Sequence, residues 1–219
     1  MSKGRGVLFD VDGTLVDTTY IHTMCWAEAL HQGGHDVPMA NVHRGIGLGS
    51  GELIDHLLGA DRDHSGDEQL KTVHLGLYRQ YWGRLRPLPG AAELVRACAA
   101  RECSVVLASS ASADELAALH SALDADDAIT EATSSSDAEA GKPAPDILQA
   151  ALDSSGLRAE DVVFVGDAVW DGQAAGKVDI PFIGLTCGGT SAAELRDAGA
   201  VAVYPDPAEL LLDLDRWVN

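Results

Sequence analysis

The chain is punctuated by short apolar, β-prone runs that each close on a polar turn and lead into a helix-like stretch. Gly6-Val7-Leu8-Phe9 enters Asp10-Val11-Asp12-Gly13-Thr14, Val105-Val106-Leu107-Ala108 enters Ser109-Ser110, and Val162-Val163-Phe164-Val165 enters Gly166-Asp167-Ala168-Val169-Trp170-Asp171. Ile180-Pro181-Phe182-Ile183-Gly184-Leu185 repeats the pattern, and Val201-Ala202-Val203-Tyr204 adds a candidate edge strand. Uninterrupted apolar runs of this length suit strands buried on both faces, which is the condition of a parallel sheet covered by helices. The alternation predicts an α/β fold.

Residues 17–86 break that rhythm. No comparable strand run occurs there, and apolar residues recur at helical spacing in Ile21, Met24, Cys25, Leu30 and again in Leu70, Val73, Leu77, Tyr81. Asp17-Thr18-Thr19 is suited to start a helix, and Arg86-Pro87-Leu88-Pro89-Gly90 is stiff turn chemistry before a helix over Ala91–Ala100. The expected organisation is a core of 1–16 and 87–219 with a helical insertion at 17–86. A length of 219 residues allows one core with one such insertion.

Charge narrows the partners. Thirty-four acids against 15 bases give −19, and lysine occurs only at Lys3, Lys71, Lys142 and Lys177, so a nucleic-acid backbone or an anionic membrane would be repelled. The insertion holds nine acids and six bases, which leaves −16 on the core. No apolar run approaches the ~18 residues of a membrane helix, and Lys3 and Arg5 are followed by too short an apolar stretch for a leader. Cys25, Cys98, Cys103 and Cys187 form no CxxC pair and no ligand spacing, which reads as thiols in a reducing cytoplasm.

The strand ends carry the chemistry. Asp10 and Asp12 place two carboxylates at one strand's C-terminal edge, where open α/β sheets bind ligands. Like charges so close stay ionised only when a cation or hydrogen bonds compensate, and hard oxygen donors suit Mg²⁺. Taken singly, each of the other elements has a plain reading. Ser109-Ser110 is a helix cap, Gly141-Lys142-Pro143 a surface turn, and Asp171 a charge on a helix's first turn. In this order along the chain they supply a nucleophile, an acid–base, an anion gripper, a cation and a metal-holding acid.

These four elements resemble the motifs of the haloacid dehalogenase superfamily, whose commonest members are Mg²⁺-dependent phosphatases. The resemblance runs from residue 7 to about 190, and it is closest to the phosphoglycolate phosphatase and β-phosphoglucomutase branch. It implies a Rossmann-like parallel sheet core with an α-helical cap inserted after the first motif. It further implies Asp10 as nucleophile, Asp12 as acid–base, Ser109 as a phosphoryl contact and Lys142 as the balancing cation. Asp10, the Asp12 carbonyl and Asp167 would hold Mg²⁺, with Asp171 in its outer shell. Ser110, His22 and Arg44 are the candidate substrate contacts, and the partner is a small-molecule phosphate ester.

Other branches fit less well. Dehalogenases lack the second carboxylate, and Lys71, the sole lysine of the insertion, reads as solvated charge rather than an imine-forming group. A β-phosphoglucomutase-like isomerase would place its phosphate-gripping arginine at Leu48, which cannot hold an anion. A non-catalytic phospho-acceptor or binding module of another class would be shorter or would have lost a motif aspartate. Trp26 is expected in the packing of the insertion, and the seven histidines there are expected on the surface.

Overall fold

The computed structural model describes residues 5–218. Six strands form one sheet: β1 (Gly6–Phe9), β2 (Ser104–Ala108), β3 (Glu131–Thr133), β4 (Val162–Gly166), β5 (Phe182–Leu185) and β6 (Ala200–Tyr204). All neighbours are parallel and the order is β3-β2-β1-β4-β5-β6. The chain leaves β1 toward β2 on one side and returns from β3 to β4 on the other. The β1/β4 boundary is therefore the switch point where such sheets open a crevice at their carboxyl ends.

Alternation along β1 splits the core into two layers. Val7 and Phe9 join Val105, Leu107, Leu94 and Val95 on one face, whereas Leu8 joins Val106, Phe164, Ile147 and Leu148 on the other. Period-two side-chain alternation makes every buried strand feed both layers, which explains why these runs are apolar throughout. The layers are covered by α5 (Ala91–Ala100), α6 (Ala113–Leu123), α7 (Asp146–Ser155), α8 (Val169–Gly176), α9 (Ala192–Asp197) and α10 (Pro207–Leu212), with a short α11 (Asp215–Val218) closing the chain.

Residues Thr19–Gln32 (α1), Met39–Gly45 (α2), Ser50–Leu58 (α3) and Asp67–Tyr78 (α4) are helical, followed by a 3-10 turn over Arg79–Arg84. They enclose a third cluster of Trp26, Leu30, Val42, Leu53, Ile54 and Leu70. Where the chain departs and returns, Asp17 N–H donates to Arg86 O at 3.0 Å and Leu88 N–H to Leu15 O at 2.8 Å. No helix among the described residues is long and apolar enough to cross a membrane.

Two details differ from the sequence reading. The fifth strand begins at Phe182, because Pro181 has no N–H to give the ladder, although its carbonyl still accepts from Phe164 N–H at 2.9 Å. The three-residue strand β3 pairs with β2 through Glu131, Ala132 and Thr133, a segment too short and polar to read as a strand by itself.

Candidate active site

Asp10 follows the last residue of β1 and Asp167 the last residue of β4, so the switch point sets the two carboxylates side by side. Thr14 Oγ1 lies 3.1 Å from both Asp10 Oδ2 and Asp167 Oδ1, and its single hydroxyl proton serves one of them at a time. The backbone approaches closely here. A Cβ on Gly188 would stand 1.6 Å from Asp167 Oδ2, and one on Gly13, whose φ is +79°, would stand 2.6 Å from the same atom. Only glycine admits this packing at either position.

Lys142 enters from the turn before α7 and is enclosed by two acids. Its Nζ donates to Asp10 Oδ1 and lies 2.8 Å from Asp171 Oδ1, with the lysine and Asp171 side chains each 1% exposed. Asp171 Oδ2 accepts from Ala168 N–H at 3.0 Å, which ties α8 to the end of β4. Burial alone would lower the ammonium's proton affinity, but the charges of Asp10 and Asp171 outweigh it and hold Lys142 above the usual range.

The carboxylates respond in opposite directions. Burial, opposed by Lys142 and reinforced by Asp171 and Asp12, pushes Asp10 up to about 7. Asp167 is also pushed well up, by burial first and then by the charges of Asp10 and Asp171. At Asp12 burial acts the same way, yet the hydrogen bonds from His22 and Thr18 outweigh it and hold the carboxyl below its usual range. Thr18 Oγ1 donates to Asp12 Oδ1 at 2.7 Å, and His22 Nε2 lies 3.2 Å from that oxygen.

A metal fits this donor set. Asp10, Asp167 and Asp171 each offer an oxygen within 4.8 Å of the others, so three buried hard donors converge around one small space. Asp171 is engaged by Lys142 and Ala168 and Asp10 by Lys142 and Thr14, which leaves Asp167, with Thr14 alone beside it, the freest of the three.

A chamber opens beside Asp10, Asp12 and Lys142, walled by residues of α1, α3, α4 and α6. Ser110 and His22 line it. Ser110 Oγ is buried without a hydrogen-bond partner, whereas Ser109 is fully enclosed and its Oγ accepts from Ala111 N–H at 3.1 Å. The loop after β2 thus turns Ser110 toward the chamber. Arg44 is elsewhere: its guanidinium, 67% exposed, pairs with Glu194, and its carbonyl accepts from Trp170 Nε1 at 3.0 Å. The expectation that Arg44 reaches the substrate is corrected, because that carboxylate and indole draw it to a separate cleft bordered by Asp167 and Gly188.

The surface reading of the histidines requires correction at His74, which is buried: its Nε2 lies 3.1 Å from His22 Nδ1, and its ring stacks on Trp26 with ring centroids 4.1 Å apart. The packing of α1 on α4 brings these rings together across 52 residues, and nothing local marks His74 for it. Tyr78, Glu115 and His74 line the chamber and were not singled out from the sequence. For Glu115 a signal existed in its place three residues after Ser112, where it completes a capping box at the start of α6.

The sheet's switch point thus gathers buried carboxylates, a lysine and a threonine hydroxyl at one place. The family model for haloacid dehalogenase-like hydrolase matches residues 5–179, and the chain belongs to that family. Within it, the chain is a phosphatase. It is 31% identical over 191 residues to a phosphoglycolate phosphatase of Yersinia pestis, covering 84% of this chain and 82% of that one. With the phosphoglycolate phosphatase of Rhodospirillum rubrum it shares 28% identity over 216 residues, covering 94% and 89%. A crystal structure of a hydrolase from Pseudomonas syringae superposes with a TM-score of 0.93 at 32% identity, covering 98% of this chain and all of that one.

Proposed function

We propose that the protein is a Mg²⁺-dependent phosphomonoesterase that hydrolyses a small phosphorylated metabolite through a phospho-aspartate on Asp10, with residues 17–86 acting as a cap over the core. The observation that carries this reading is the junction of Asp10, Lys142 and Asp167 at the sheet's switch point. Phosphoryl transfer requires alignment and charge cancellation more than elaborate covalent chemistry. Asp10, Asp167 and the Asp12 carbonyl would hold the ion, with Asp171 behind them, and the ion supplies cationic charge that lets a carboxylate approach a phosphate dianion.

In the first step a carboxylate oxygen of Asp10 bonds to phosphorus as the ester P–O bond breaks, and Asp12 gives its proton to the leaving oxygen. In the second, Asp12 takes a proton from water as the water oxygen attacks phosphorus and frees Asp10. Asp12 is held ionised before the ester arrives, so it takes a proton from solvent as the dianion is seated, because added negative charge raises a neighbouring carboxyl. His22 and Thr18, both bonded to Asp12 Oδ1, keep that group aimed through both steps. Ser110 Oγ, buried and unpaired, is suited to donate to a phosphoryl oxygen, and Lys142 offsets the charge on Asp10.

The relatives named phosphoglycolate phosphatases support a small phosphate ester as the substrate class. With four free cysteines, the reading places the enzyme in a reducing cytoplasm. The test is phosphate release from p-nitrophenyl phosphate with Mg²⁺ and with EDTA. Multiple turnovers that require the ion support the reading. A single stoichiometric phosphorylation, or none, would refute it.

A further inference from the structure

The chamber beyond the phosphoryl end has a distinct electrical character. Its distal wall is built from Trp26, Ile46, Leu48, Leu53 and Leu119, and Glu115 borders it with Oε2 accepting from Ser112 N–H at 2.8 Å and from Ser112 Oγ at 2.7 Å. Among the described residues, Lys142 is the one lysine or arginine on its lining, and that ammonium is committed to Asp10 and Asp171. The six cations of 17–86 are engaged off this lining: Arg44 with Glu194, Arg62 with Asp55 and Asp67, Lys71 with Glu68, Arg79 with Asp114, Arg84 over the Tyr81 ring, and Arg86 with the Leu85 carbonyl.

Two remaining sources of positive charge are also countered. The N-terminus of α3 reaches the chamber at Ser50, but Glu52 folds back on that turn and accepts from Gly141 N–H at 2.9 Å. His22 faces Asp12, and burial keeps the His74 ring well below the range in which it would carry charge. A second anionic group on a bound ester would lose its hydration against an apolar wall and find no free cation as a partner.

We propose that this chamber selects phosphate monoesters whose leaving alcohol is uncharged and rejects those whose leaving alcohol carries a carboxylate. The inference rests on the phosphomonoesterase reading and narrows its substrate class, setting the chain apart from the activity named for its phosphoglycolate phosphatase relatives.

A matched pair tests it: hydroxyethyl phosphate and phosphoglycolate, which have the same two-carbon length and differ in a hydroxymethyl against a carboxylate. With Mg²⁺ present and p-nitrophenyl phosphate as the control, kcat/KM is expected to favour hydroxyethyl phosphate by about 30-fold, the scale of one unpaired buried charge. A ratio below about tenfold, or reversed, with the aryl ester still turned over, overturns the inference and leaves the phosphatase reading standing. Failure on all three esters instead overturns that reading, and the inference with it. Leu48→Lys adds a cation to the distal wall, and in a folded variant the preference should shrink by about tenfold. An unchanged ratio there would locate the discrimination outside the chamber and also overturn the proposal. The wild-type ratio decides the matter if that variant does not fold.

Discussion

Lys142 Nζ lies 2.8 Å from Asp171 Oδ1, and this pair is sealed from solvent on both sides. The same ammonium reaches Asp10, so one cation stands between a strand-end carboxylate and a helix-borne one. This shared lysine makes the acidic cluster tolerable in a core of such negative charge.

Removing the lysine leaves two buried carboxylates uncompensated. Lys142→Met is expected to lower stability by about 3 kcal/mol near neutral pH, the usual penalty for orphaning one side of a buried ion pair. Urea denaturation measures it. The additional change Asp171→Asn should recover part of the loss, and no recovery would show that the pair does not share that charge.

The raised Asp10 carboxyl makes metal-free stability depend on pH with a defined sign. Its folded value of about 7 exceeds its ordinary value of 3.8, so the folded state holds the proton more tightly. Its contribution is fully present below about 4 and is lost as pH rises through about 7. In EDTA the protein should lose about 2 kcal/mol of stability between pH ~5 and pH ~8.5, and Mg²⁺ should stabilise it more at the alkaline end. Thermal melts at both values check this, and the dependence should flatten in Asp10→Asn.

Asp10→Asn keeps the shape of the nucleophile and removes its attack. Turnover of p-nitrophenyl phosphate should fall by more than about a thousandfold, beyond the loss expected of one positioning contact. Activity above that floor would remove Asp10 from the role.

His74 fixes His22 from behind, through the 3.1 Å contact between their rings. His74→Leu preserves bulk against Trp26 while leaving the His22 ring less constrained. The expected result is a fall of about tenfold in kcat with KM nearly unchanged, a fraction of what a positioned acid–base contributes. A KM effect alone would make His74 a wall of the chamber rather than a support for Asp12.

Leu8 is fully buried in the layer with Phe164 and Leu148. Leu8→Ala should cost about 3 kcal/mol through lost burial and the cavity left behind. Chemical denaturation should show the loss while kcat in the folded fraction stays close to wild type.

The strands and the edge that carries the site are legible in the chain because their causes are local. The apolar runs at 6–9, 105–108 and 162–165 specify strands because burial on both faces tolerates no polar residue. The placing of Asp10, Ser109, Ser110 and Asp167 directly after them puts those residues at one sheet edge once strands are parallel. Lys142, which by itself reads as part of a surface turn, is legible as a site residue only through its place in the order of the four motifs, and the structure buries it.

Other features of the site arise only when distant segments pack together. His74 meets His22 because α4 lies on α1, and Ser110 rather than Ser109 borders the chamber because of how the loop after β2 turns. Arg44 is drawn from the site by Glu194, 150 residues away. Hydrophobic periodicity fixes which face of an element is buried, but which side chains meet across two elements depends on how the elements cross, and no local pattern carries that information.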